Sequence, residues 1–79
     1  MRPDPGRLAG QPLSTTEIEV LHAAAEGLSA KETAEKLVKS EHTVIAQRRS
    51  AQAKLGARNL SHAVALAYQD RVLQPPDGR

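Results

Sequence analysis

The chain has 79 residues, with 11 Lys plus Arg against 9 Asp plus Glu, a single Tyr, and no Phe, Trp or Cys. That length allows one domain whose core must come from Leu, Val, Ile and Ala, a composition suited to helix-on-helix packing. It excludes a disulfide or thiolate-metal scaffold, a membrane span of about 20 apolar residues and a signal-peptide segment, and it leaves little room for a deep catalytic pocket. The expectation is a small cytoplasmic helical binding module, not an enzyme, with no cofactor and no metal.

Residues 1–12, MRPDPGRLAGQP, hold three Pro and two Gly and read as a flexible arm, and residues 74–79, QPPDGR, read as a flexible tail. The 13–73 stretch reads as four helices. Ser14 followed by Glu17 is a capping box that opens the first, whose apolar positions Leu13, Val20, Leu21, Ala24 and Leu28 recur at helical spacing and which Gly27 ends. Ser29 and Glu32 form a second capping box. That helix buries Ala34, Leu37 and Val38 and runs to about Val38, because Ser40 is the next N-cap. About three residues between two helices force a sharp crossing, the geometry of a helix-turn-helix. The third helix spans about 41–55 and stops at Gly56. The fourth starts after the cap Asn59 and ends near Val72 or Leu73, before Pro75 and Pro76 forbid continuation.

The third helix carries the chemistry. Val44, Ala51 and Leu55 fall on its core side, whereas His42, Ile45, Ala46, Arg49 and Ala53 fall on the other. A helix lying deep in a groove about 12 Å wide needs such slimness along its centre line, with long polar side chains such as Gln47, Arg48 and Lys54 at the margins, facing phosphates. No acid lies between Glu41 and Asp70, an interval that holds Arg48, Arg49, Lys54 and Arg58. A basic stretch is often no more than a solvated face. Here it follows a capping box, a tight turn and a Ser cap, an order that favours duplex DNA. His22, His42 and His62 stand twenty residues apart and suggest no metal site.

Leu13-Ser14-Thr15-Thr16-Glu17-Ile18-Glu19-Val20-Leu21, Gly27, Lys31-Glu32, Ala34, Leu37, Ser40, Thr43-Val44, Lys54-Leu55-Gly56, Asn59 and Ala63-Val64 together resemble the LuxR/GerE family of bacterial DNA-binding domains. The resemblance covers nearly all of 13–73 without insertion. It implies an all-α, four-helix, LuxR/GerE-like helix-turn-helix domain whose third helix enters the major groove and whose fourth supplies a dimer contact. Carried over by position, Ile45, Ala46 and Arg49 stand where base edges are reached, with His42 as a groove-edge contact. Ser29, Lys31, Thr43, Gln47 and Lys54 stand at backbone-contacting positions, and Arg48 joins them at the margin. Ser29 and Thr43 sit within a turn of a helix N-terminus, which already favours an anion.

Departures from the family pattern are also legible. Ile45 replaces a common Lys, Gln47 a common His, Arg48 an aliphatic residue, and Thr33 and Lys39 stand where Ile is usual. A lysine at a semi-buried turn can snorkel. With only a short arm before it, the domain resembles the stand-alone members. On the fourth helix Ala63, Val64, Ala67 and Val72 can face the core, while Leu60, Ala65, Leu66, Tyr68 and Leu73 add apolar surface. A helix apolar over more than one stripe is deeply buried or shared. The expectation is a homodimer through Leu60, Val64, Ala65, Tyr68 and Val72, with recognition helices roughly 34 Å apart on DNA. The expected function is sequence-specific transcription regulation at the bacterial nucleoid, with RNA polymerase as a further partner. The alternative is a protein-interaction module, or a sigma-region-four-like factor, that has lost autonomous DNA specificity.

Overall fold

The computed structural model describes residues 9–73. Four helices follow one another, α1 (Thr15–Ala25), α2 (Ala30–Leu37), α3 (Glu41–Leu55) and α4 (Leu60–Gln69), and the described residues contain no strand. Each expected N-cap is in use. Ser14 Oγ accepts from the Glu17 N–H at 3.1 Å while Glu17 Oε1 accepts from the Ser14 N–H at 2.8 Å. Ser29 and Glu32 repeat that reciprocal pair at 3.0 and 2.8 Å. Ser40 Oγ accepts from the Thr43 N–H at 3.0 Å, and Asn59 Oδ1 from the His62 N–H at 2.8 Å. These bonds satisfy amides that the first helical turn leaves without a partner.

The four C-termini share one closure. An N–H returns to the carbonyl five residues earlier at Leu28 to Ala23, Lys39 to Ala34, Ala57 to Gln52 and Val72 to Ala67, at 2.8–3.1 Å. The residue before each returning N–H has positive φ: Gly27 at 90°, Val38 at 56°, Gly56 at 67° and Arg71 at 60°. Glycine adopts that conformation without steric cost, whereas a β-branched residue such as Val38 is strained there.

Two expectations are corrected here. Val38 is not buried by α2; it is the left-handed cap of that helix and 91% exposed, because the reversal points its side chain outward. α4 ends at Gln69 rather than near Val72 or Leu73, since Arg71 reverses the chain and turns Leu73 back into the core, where it is 3% exposed. The reversal, not the prolines, stops the helix. Val38→Gly relieves strain of about 1–2 kcal/mol and loses no packing, offset in part by the more flexible unfolded chain. The expected net gain is about 1 kcal/mol, read as a rise in Tm of about 4–8 °C; an unchanged or lower Tm would show that Val38 is not strained.

Leu21, Ala51, Ala63, Ala67 and Leu73 form one core cluster, with Leu13, Leu55, Leu60, Val64, Tyr68 and Val72 packed around it. Val20, Ala34 and Val44 form a second, beside Leu37. α3 packs against all three other helices. Alanine at Ala51, Ala63 and Ala67 lets the helices approach closely, which compensates for the lack of large aromatic side chains. Thr33, where Ile is usual in the family it resembles, is fully buried, and its Oγ1 has no hydrogen-bond partner among the described residues. The chain before α1 is tied to the domain, with the Gly10 N–H donating to the Lys54 carbonyl at 2.8 Å. Residues 1–8 and 74–79 of the expected arm and tail lie outside the described residues.

Candidate nucleic-acid interface

With Val44 and Ala51 fully buried, α3 can present only its other side to a ligand. His42, Ile45, Ala46 and Arg49 are all exposed and follow i, i+3, i+4, i+7 spacing, so the four expected base-contacting residues form one stripe. Arg49 has no hydrogen bond or ion pair among the described residues, and its five-donor fork projects free of the fold. Ile45 is 37% exposed, an apolar surface of a size that a thymine methyl could cover.

Polar groups lie at the N-termini of two helices. Ser29 and Lys31, both exposed, lie at the N-terminus of α2. The Ser29 hydroxyl accepts from the Glu32 N–H. In α3 the Ser40 hydroxyl donates to Thr43 Oγ1 at 2.8 Å, which leaves the Thr43 hydrogen free to point outward. Gln47 is half-buried, and its Oε1 accepts from Lys39 Nζ at 3.2 Å. The α2 and α3 N-termini thus each carry a hydroxyl and partial positive charge.

Arg48 and Lys54 do not join this set. Arg48 Nη2 donates to the Leu28 carbonyl at 3.0 Å and ties α3 to the turn before α2, and its Nε is buried. Lys54 Nζ lies 2.8 Å from Glu17 Oε1, in a pair whose side chains are 16% and 6% exposed. Glu17 Oε2 also accepts from the Ser50 hydroxyl. Burial pushes the Glu17 carboxyl up, but the Lys54 ammonium, the Ser14 N–H and the Ser50 and Ser14 hydroxyls outweigh it and hold the pKa down at about 2. Arg48 and Lys54, expected to face phosphates, are thus each bonded within the fold. One signal for this was present in the sequence: Glu17 shares a helical face with Val20 and Leu21, both fully buried.

The family model of the luxR family of bacterial regulatory proteins, GerE, matches residues 11–67, which takes in all of α1, α2 and α3 and most of α4. The chain belongs to the luxR family. It is a helix-turn-helix DNA-binding transcription regulator in kind, from a family that is not enzymatic. No curated protein matches it. No helix of this luxR-family domain, among the described residues, is long and apolar enough to cross a membrane. On its α4, Ala65 is exposed, while Leu60, Val64 and Tyr68 are half-buried against the core, as is Val72 beyond the end of the helix. Ala24, Ala25, Leu60, Ser61 and Val64 line a shallow depression where α1 and α4 meet.

Proposed function

We propose that this luxR-family domain regulates transcription by reading a specific duplex sequence as a homodimer, with α3 in the major groove. The observation that carries the reading is the single exposed stripe of His42, Ile45, Ala46 and Arg49, opposite the fully buried Val44 and Ala51. Arg49 pairs with guanine O6 and N7, Ile45 and Ala46 meet apolar or close base surface, and His42 touches the groove edge. Ser29, Lys31, Thr43 and Gln47 hold phosphates and fix the register. The half-exposed apolar residues Leu60, Val64, Tyr68 and Val72, with exposed Ala65, support pairing through α4. Such a dimer places its recognition helices one DNA turn apart, roughly 34 Å.

The test is selection from random duplex DNA by the purified chain, followed by titration of the winner between about 50 and 200 mM salt. The expected result is an inverted repeat bound with steep salt dependence, at two protomers per site. Enrichment of nothing, or a single half-site bound by a monomer, would refute the specific or the dimeric part of the reading respectively.

A further inference from the structure

Lys39 lies in the turn between α2 and α3, just before the N-cap Ser40. Its backbone N–H closes α2 on the Ala34 carbonyl at 3.0 Å, so its Cα is fixed by the fold. The half-buried side chain runs along α3, and its ammonium reaches Gln47 Oε1 at 3.2 Å. The described residues offer it no carboxylate partner, whereas Lys36 is paired with Glu26 at 2.8 Å and Lys54 with Glu17 at 2.8 Å. The charge of Lys39 is therefore uncompensated. The bond also sets the chemistry of Gln47: with its oxygen turned to the ammonium, the amide N–H groups are what it has left to offer. Lys39 and Gln47 together form a singly positive pair that presents donors alone, one helical turn along α3 from Thr43 and on the side of the helix between the His42, Ile45, Ala46 and Arg49 stripe and the buried Ala51. Oxygens of a backbone phosphate match that pair in charge and in hydrogen-bonding sense.

We propose that Lys39 and Gln47 act as one phosphate clamp, in which Lys39 supplies a cation to the DNA backbone and positions the Gln47 amide. The inference rests on the reading of α3 as the recognition helix, and it assigns a DNA contact to a turn residue.

Lys39→Met keeps the apolar stem and removes the charge. In the full chain, with the selected duplex, the variant is expected to keep the wild-type base preference and to show a salt slope shallower by about 1.8, one phosphate contact being lost from each of the two protomers. Between 50 and 200 mM salt its affinity then falls about 12-fold less than that of the wild type. Lys39→Arg is expected to restore the slope. Gln47→Glu leaves Lys39 in place but pairs off its charge, so it is expected to reduce the slope as Lys39→Met does, and it tests the clamp even if Lys39→Met melts early. A wild-type slope in Lys39→Met and Gln47→Glu would overturn the clamp while leaving the recognition helix untouched, and an altered base preference in Lys39→Met would overturn it too. Absence of duplex binding by the wild type overturns both the interface and the clamp.

Discussion

Lys54→Met is expected to destabilise the domain by about 3–5 kcal/mol, the usual cost of removing one partner from a buried ion pair. The Glu17 carboxylate would remain 6% exposed with its cation gone. The Ser14 N–H and the Ser50 hydroxyl would still reach it, which places the loss nearer the lower figure. Small domains have about 5–15 kcal/mol in total, so this one substitution removes a large part of the stability. Urea denaturation measures it directly, and the double variant with Glu17→Gln is expected to recover a large part of the loss, because no charge is then buried alone. A loss below about 1 kcal/mol would mean that the pair behaves as a solvated surface pair. Any loss of DNA binding by Lys54→Met is expected to track unfolding, not the loss of a phosphate contact.

The same pair sets the response to acid. The folded-state pKa of Glu17 is depressed to about 2. The charged carboxylate therefore contributes stability that is present above the unfolded-state value of about 4.3 and lost as pH falls towards 2. The size of that contribution is on the order of 3 kcal/mol. Glu26, lowered mainly by its bond to Lys36, and Glu32, lowered by the Ser29 N–H and hydroxyl, act in the same direction from exposed positions. Acid unfolding is expected to be blunted in Glu17→Gln, and an unchanged pH midpoint in that variant would remove Glu17 as its cause.

What could be read from the sequence was local. Ser14 with Glu17, Ser29 with Glu32, Ser40 and Asn59 announce helix starts because each cap bonds an amide three residues away. The recognition stripe was legible for the same reason, since one helical period separates His42, Ile45, Ala46 and Arg49 from Val44 and Ala51. Helix ends were legible where glycine marks the reversal, at Gly27 and Gly56, and where the cap Ser40 bounds α2 near Val38, whereas the left-handed conformation of Val38, and that of Arg71 which ends α4 early, were missed. Neither residue type advertises it, and the compensating burial of Leu73 belongs to tertiary packing. The fate of the basic residues was hidden further still. Lys54 and Glu17 are 37 positions apart, Arg48 and Leu28 are 20 apart, and no periodicity distinguishes a lysine facing phosphate from one facing a buried carboxylate. The departure at Arg48, from an aliphatic residue to a guanidinium, was a clue to a half-buried position rather than to added surface charge.

With Arg48 and Lys54 bonded within the fold, Arg49 is the one cation on the centre line of α3, and Arg49→Ala is expected to cost about 1–3 kcal/mol in binding for each half-site, roughly a 5- to 150-fold loss of affinity apiece. The penalty is expected to fall on one base pair in each half-site: the wild type discriminates against substitution of that base pair, and the variant does not. Folding is expected to be unaffected, because Arg49 is exposed and holds nothing within the described residues. Arg49→Lys is expected to recover the general affinity through its charge but only part of the discrimination, since an ammonium cannot present the planar fork that meets O6 and N7 together. The pattern separates this residue from the clamp at Lys39, whose loss weakens every sequence alike. The measurement is binding to the selected duplex and its single-base variants at fixed salt. A variant that binds more weakly everywhere by the same factor would place Arg49 on the phosphate backbone and move the reading of sequence to Ile45, Ala46 and His42.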